Sequence, residues 1–149
     1  MLVIKSNLKM VEKSYQQLTN SLDEGVRNAR DEMMAALIQL AKREIKGKRG
    51  KANGKWDKAE AGQPPKNRTG NLRRSIRGQK GRSGFGVYTA IVGPTMVYGR
   101  AVELGGKYAP KSWRNSSAIK GFPYMEPAFV KFKQSGLMQE IIARNVMRR

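Results

Sequence analysis

A periodic row of apolar residues along the first third of this chain constrains its fold more than any other feature. The row consists of Leu8, Val11, Tyr15, Leu18, Leu22, Val26, Ala29, Met33, Leu37, Leu40, Ala41 and Ile45. A spacing of three and four residues places these side chains on one face of an α-helix. The part from residue 22 to residue 45 would be about 36 Å long. Because glycine weakens a helix interior, Gly25 predicts a break or kink near residues 19 to 25. A short strand is expected before the helix, at residues 2 to 4.

Shorter elements are predicted from residue 69 onward. Thr69 is suited to cap a short helix that turns Leu72 and Ile76 inward. Residues 75–80 and 84–92 flank a Gly-rich turn and predict a β-hairpin. Its second strand carries apolar residues on both faces, which predicts a covered strand ending at Gly93-Pro94.

The last third of the chain predicts two more helices. Residues 96–104 have helical spacing, with Val97, Ala101 and Leu104 on one side and Gly105-Gly106 as a C-cap. A loop over residues 105–121 follows. A final amphipathic helix is predicted from Pro127 onward through Phe129, Phe132, Leu137, Ile141 and Val146. The sum is one α+β domain over residues 1–149, with long N-terminal and C-terminal helices packed against a small antiparallel sheet.

The positive charge of the chain is concentrated in its middle. The net charge of +19 divides into 0 for residues 1–41, +12 for residues 42–82 and +7 for residues 83–149. Glycine, proline and like charges over residues 46–68 predict a flexible basic loop. Two interpretations stay open: contact with DNA phosphates or an acidic partner, or a solvated loop that keeps the protein soluble. The candidate contact residues are Lys46, Lys48, Arg49, Lys51, Lys55, Lys58, Lys66 and Arg68.

Composition narrows the chemistry. The chain has no His and no Cys, which excludes Ser-His-Asp and Cys-His catalysis and the usual zinc ligands. Asp23, Glu24, Asp31 and Glu32 are assigned to the exposed side of the first helix, and the other carboxylates are scattered. We therefore expect no enzyme activity, no cofactor and no metal. No apolar run approaches a membrane span or a signal peptide, so a soluble protein made in the cytoplasm is expected. An apolar fraction of 39% favours an oligomer.

Four short motifs combine apolar anchors with glycine and proline, a pattern typical of packing and docking surfaces. They cover residues 69–76, 92–94, 98–106 and 121–129. Glu103 has two interpretations: an intersubunit salt bridge to Arg73, Arg74 or Arg77, or an exposed carboxylate facing solvent or Lys107. The segment from Phe122 to Met125 is either a plug inside the domain or an exposed anchor for a partner.

These motifs resemble the tail-component family of long-tailed bacteriophages. Members carry Thr-Gly-x-Leu-Arg-x-Ser-Ile, as at residues 69–76, and Tyr-Ala-x-x-Val-Glu-x-Gly, matched at residues 98–105 with Gly99 in the place of Ala. They also carry Pro-Phe-Met/Leu-x-Pro-Ala before the last helix, matched at residues 123–128 with Tyr124 in the place of Phe. The resemblance implies a structural virion protein at the head–tail junction. It would form a ring, a hexamer or a dodecamer, between the head connector and the tail tube.

A closed ring joins one patch of each subunit to a different patch of the next. The candidate interface residues are Leu72, Arg73, Arg74, Arg77, Tyr98, Glu103, Leu104, Phe122 and Tyr124. The expected partners are further copies of the chain, head-completion and tail-tube proteins, and packaged double-stranded DNA, toward which the basic loop would face. Two other functions stay open: a free nucleic-acid-binding protein, and a tail-assembly chaperone absent from the finished particle.

Overall fold

A computed structural model describes residues 4–47, 60, 62–81, 86–105 and 121–147. Its elements are α1 (Ile4–Glu44), α2 (Asn71–Ser75), β1 (Ile76–Lys80), β2 (Ala90–Pro94), α3 (Gly99–Leu104), α4 (Met125–Gln134), α5 (Leu137–Ile142) and a π-helical turn (Ala143–Met147). The predicted α+β class is confirmed. A long N-terminal helix carries a two-stranded antiparallel sheet and several short helices.

The core lies against the C-terminal half of α1. One cluster gathers Ala41, Ile45, Ile76, Tyr124 and Ala128. A second cluster gathers Ala29, Phe132 and Ile141. Leu37 and Leu40 of α1 pack against both clusters, so the two are continuous. The apolar row predicted from residue 29 onward is therefore the face on which the rest of the domain is built.

The predicted break near Gly25 is wrong, because α1 is continuous from Ile4 to Glu44. Gly25 is buried where the C-terminal π-helical turn crosses the helix. A Cβ at this position would lie 2.6 Å from the carbonyl oxygen of Asn145. Glycine thus allows close approach of two backbones, and this packing offsets its low helix propensity.

The hairpin pairs Ile76 with Pro94 and Lys80 with Ala90. β2 therefore begins later than predicted and includes the Gly93-Pro94 pair that was expected to end it. The prediction of a covered strand is wrong as well: Ile91 is 68% exposed. A sheet of two strands has α1 on one side only, so residues on its other side have no cover within the described part of the chain.

Three predicted boundaries differ from the observed ones. The helix α2 has Gly70 as its N-cap residue, and the hydroxyl of Thr69 accepts the Asn71 N–H at 3.3 Å. The helix α3 starts at Gly99, which leaves Val97 in the preceding turn and 94% exposed. The strand predicted at residues 2 to 4 is wrong at Ile4, which begins α1, and residues 2 and 3 lie outside the described ranges.

Two predictions about the later helices can be judged from the backbone angles of glycine residues. The predicted C-cap of α3 is confirmed at Gly105, which has φ +84° and donates its N–H to the carbonyl oxygen of Ala101. The predicted single C-terminal helix is wrong, because Gly136 has φ +70° and separates α4 from α5. A positive φ cannot be part of a right-handed helix, and the chain turns there.

Most of the two predicted loops lies outside the described residues, namely 48–59, 61 and 106–120. Among the helices in the described ranges, none has a stretch both long and apolar enough to cross a lipid bilayer.

The close contact at Gly25 predicts an unusual response to alanine. Gly25→Ala should lower the free energy of unfolding by about 1–3 kcal/mol, because the new methyl group displaces the π-helical turn. The control Asn28→Ala changes an exposed position of the same helix and should raise stability by about 0.5 kcal/mol. Urea denaturation of both variants measures the difference. Stabilisation by Gly25→Ala would contradict the packing described.

Candidate functional site

The carboxylate of Glu103, near the end of α3, caps the start of α4. It accepts the backbone N–H of Tyr124 at 2.8 Å, of Met125 at 3.1 Å and of Glu126 at 3.0 Å. The first four N–H groups of a helix have no partner within it, and the fourth position here is Pro127, which has no N–H. Every donor at this helix end is therefore accounted for, and the negative charge faces the positive end of the helix dipole.

Tyr124 lies beneath this cap and is fully buried. Its hydroxyl donates to the carbonyl oxygen of Gly99 over 3.4 Å. Burial raises the pKa of Tyr124 far above its ordinary value, and the nearby Glu103 charge and Tyr98 raise it further. The absence of a side chain at Gly99 lets the start of α3 pack closely on Pro94, because a Cβ at position 99 would lie 2.4 Å from the Pro94 ring.

All four motifs meet in one core cluster around the end of α1. The contributing side chains are Leu72 and Ile76 from the first motif, Val92 from the second, Val102 from the third, and Tyr124, Met125 and Ala128 from the fourth. Backbone bonds reinforce the contact: the Phe122 N–H donates to the Val102 carbonyl at 2.7 Å, and the Thr95 N–H donates to the Ser75 carbonyl at 3.0 Å. The motifs thus form one structural unit.

Three predicted interface residues line a single open cavity of about 360 Å³: Leu72, Tyr98 and Phe122. Two predicted polyanion contacts, Lys66 and Arg68, stand at the same cavity. The cavity therefore brings together members of both predicted sets, with apolar walls and basic side chains beside them.

The three predicted interface arginines are exposed on α2 and β1. Arg74 donates from Nη2 to Asn71 Oδ1 at 2.6 Å. Arg74 and Arg77 line a shallow depression of about 310 Å³ together with Thr95 and Met96. Leu104 is also exposed, at 51%. These residues are free of the core and accessible to a partner, so their interface role stays a prediction.

Glu103 and Tyr124 are placed differently from the rest of the predicted interface. The Glu103 carboxylate is engaged by three backbone amides of its own chain, a role that neither sequence interpretation included. Complete burial makes Tyr124 part of the domain interior, as in the plug interpretation, and a direct contact with a neighbouring subunit does not fit this burial. Half-buried Phe122 lines the open cavity instead.

The basic loop is closed at its base. Lys46 and Lys66 form an isolated parallel bridge, and the Asn67 N–H donates to the Lys46 carbonyl at 2.7 Å. The exposed side chains of Lys46, Lys66 and Arg68 are thereby brought to one place. The other five predicted contacts, Lys48, Arg49, Lys51, Lys55 and Lys58, lie outside the described residues.

Three of the four acidic residues assigned to an exposed side of α1, Asp23, Asp31 and Glu32, are half-buried and bind other parts of the domain, whereas Glu24 is exposed as predicted. Asp31 accepts Lys80 Nζ of β1 at 2.7 Å, and this bond lowers the pKa of Asp31 with help from Arg30, against the opposing effect of partial burial. Asp23 accepts the Tyr88 hydroxyl. Glu32 pairs with Arg144 and accepts Asn145 Nδ2 at 2.8 Å.

The buried carboxylate of Glu44 pairs with Lys131 of α4 at 2.6 Å. Only 7% of the Glu44 side chain is exposed, so the bond joins the end of α1 to α4 in a partly dehydrated setting. Sequence reasoning missed this pair, because nothing in the spacing of residues 44 and 131 relates them. The one available signal in the sequence was the position of Glu44, an acidic residue beside the apolar face in the last turn of α1, where basic residues are usual.

The N-terminal half of α1 has no cover from the rest of the described chain. Every residue from 8 to 20 is exposed. Within the apolar row, Leu8, Val11, Tyr15, Leu18 and Leu22 are between 44 and 69% exposed. Covering five such half-exposed side chains would stabilise each chain by about 4–7 kcal/mol.

No cluster of three or more acidic side chains suited to a metal ion occurs within the described residues. Comparison of the chain with known protein families, with curated proteins and with solved structures finds no match.

The Glu103 cap predicts a specific loss of stability. Glu103→Ala should lower the free energy of unfolding by about 1–3 kcal/mol, because three N–H groups lose their acceptor. Glu103→Gln keeps one acceptor oxygen, so its free energy of unfolding should lie between those of Glu103→Ala and the parent chain. The matched control, Glu126→Ala, removes an exposed carboxylate from the first turn of α4 and should cost about 0.5 kcal/mol. Equal losses for Glu103→Ala and Glu126→Ala would refute the cap.

Tyr124 predicts a pH dependence at alkaline pH. Its folded pKa lies above the ordinary value of 10.0, so the unfolded chain ionises first. The protonated Tyr124 hydroxyl therefore contributes its full stabilisation below about pH 10, and above that pH the free energy of unfolding falls by up to about 1.4 kcal/mol per pH unit. Tyr124→Phe should remove this loss, whereas the control Tyr15→Phe, at an exposed site, should not. Denaturation of the three proteins between pH 8 and 11 (roughly the range over which tyrosine ionises) measures it. Parallel profiles for all three would rule out the buried hydroxyl.

Proposed function

We propose that this chain is a structural virion protein of a tailed bacteriophage, forming a ring at the head–tail junction that joins the head connector to the tail tube. The ring is a hexamer or dodecamer of this chain. It acts by fitting neighbouring surfaces together and carries out no bond chemistry. The neighbours are head-completion and tail-tube proteins and the packaged DNA.

The observation that carries this proposal is the convergence of the four motifs. Segments that are separated along the sequence but shared with the resembling family contribute to one core cluster. Two of them are further joined by the Glu103 cap. Motifs that pack together in this way support a common domain rather than four chance similarities.

The distribution of charge supports a polyanionic neighbour. Asp23, Asp31, Glu32 and Glu44 are all engaged by groups of their own chain. Each of them pairs with a basic side chain, so these pairs leave the net charge of +19 unbalanced, and the basic side chains at the base of the loop are exposed. A ring of such subunits would repel itself unless DNA or acidic proteins offset the charge.

The position of the chain in purified particles tests the proposal. Cryo-electron microscopy of particles carrying a tagged chain should show a closed ring of the chain between head and tail. Mass spectrometry of the same particles gives its copy number. A chain absent from finished particles would instead support the assembly chaperone.

The basic loop predicts salt-dependent binding to duplex DNA by the assembled chain. Neutralising Lys46, Lys48, Arg49, Lys51 and Lys55 together with Gln should reduce the slope of log affinity against log salt by about one unit per lost phosphate contact. The fold should be unchanged. Lys9→Gln with Lys13→Gln is the control, since both lie on the exposed N-terminal half of α1.

Two outcomes would count against the loop as a polyanion contact: retention of DNA by the loop variant equal to that of the parent at low and high salt, or unfolding of the loop variant. Tight binding by the isolated monomer, with a steep salt slope, would favour the free nucleic-acid-binding protein instead.

A further inference from the structure

The exposed apolar row on the N-terminal half of α1 has the spacing of a coiled-coil seam. Leu8, Val11, Tyr15, Leu18 and Leu22 follow one another at intervals of three, four, three and four residues. These are the a and d positions of a heptad repeat, which bury against a partner helix of the same kind. The row is about 21 Å long, measured along the helix.

The charge of this segment favours a second copy of the chain as the occupant. Residues 8–22 contain Lys9 and Lys13 against Glu12, a net charge of +1, and the next five residues add Asp23, Glu24 and Arg27, which brings residues 8–27 to zero. The whole chain carries +19. Two copies can therefore meet along this half-helix with almost no local repulsion. The positions flanking the row are mostly polar and uncharged, which suits pairing of identical helices.

Other occupants fit this surface less well. The chain segments outside the described residues, 48–59 and 106–120, contain no apolar row at this spacing. A helix that lies on an anionic membrane usually carries many Lys and Arg residues on its polar face. Residues 8–27 have a net charge of zero instead.

We infer that the row formed by Leu8, Val11, Tyr15, Leu18 and Leu22 pairs with the same row of a second copy as a two-helix coiled coil. This contact is separate from the predicted ring contacts on α2 and α3. It does not rest on the proposed virion role. If the chain pairs in solution but is absent from phage particles, the proposed function is wrong and the helix pairing still holds.

Self-association of the full chain tests the inference, with Leu18→Gln and Met10→Gln as a matched pair. Both replace an exposed apolar residue by glutamine, a good helix former, but Met10 is outside the row and 71% exposed. Sedimentation equilibrium over about 1–100 μM should show dimers of the parent chain. Leu18→Gln should raise the dimer Kd at least tenfold, and Met10→Gln should change it less than twofold (about 1.4 kcal/mol marks the tenfold step).

Salt adds an independent readout. Pairing along this nearly uncharged row should persist as the salt concentration rises, whereas DNA binding weakens. A parent chain that stays monomeric at about 100 μM would overturn the inference. Equal effects of Leu18→Gln and Met10→Gln would overturn it as well.

Single cysteines locate the contact directly, because the chain has none of its own. Cysteine at each row position in turn, compared with Met10→Cys, should give disulfide-linked dimers on mild oxidation at one or more row positions. Parallel helices in register would link at every row position, and antiparallel helices only near the centre of the overlap. Row positions that link no faster than Met10→Cys would contradict the pairing.

Discussion

The helix α1 is too long for the rest of a compact domain to cover its whole apolar row. A helix of 41 residues is about 62 Å long. A compact domain of 149 residues is about 38 Å across. No arrangement of the remaining residues in one compact body can cover the whole apolar row. The core clusters collect on the C-terminal half, and among the described residues nothing covers the apolar face of the N-terminal half.

The use of charge follows from the same arrangement. Carboxylates on the C-terminal half of α1 bind β1, α4 and the π-helical turn through Asp31, Glu44 and Glu32. Each bond fixes an element whose apolar side already packs on α1. Because each of these carboxylates pairs with a basic side chain, the ion pairs cancel equal charge and leave the net charge of +19 unchanged.

Local features were predictable from the sequence, and contacts between distant residues were not. The helix of residues 29–44, the hairpin and the Gly105 cap depend on spacing and backbone angles within a few residues. The Glu103 cap and the Glu44–Lys131 pair join residues far apart in the chain. The predicted helix break at Gly25 was wrong for the same reason, because the backbone that packs against Gly25 belongs to the distant residue Asn145.

In the candidate site, too, the sequence indicated which residues to consider but not which contacts between distant residues they make. Leu72, Tyr98 and Phe122, which were chosen from the motifs, lie at one cavity, and their interface role stays a prediction. The burial of Tyr124 could not be read from a motif, because an aromatic residue before a helix is equally suited to a core and to a docking surface. In the structure, α3 and the start of α4 enclose the Tyr124 side chain, and the Glu103 bonds and the Phe122–Val102 backbone bond join these two helices.

Hydrogen exchange along α1 tests most directly whether its exposed half is an assembly element. Amides of residues 29–44 should be protected at every protein concentration, because they belong to the core. Amides of residues 8–20 should exchange fast in dilute protein and become protected as concentration rises. Protection of residues 8–20 that is the same in dilute and concentrated protein would contradict the account.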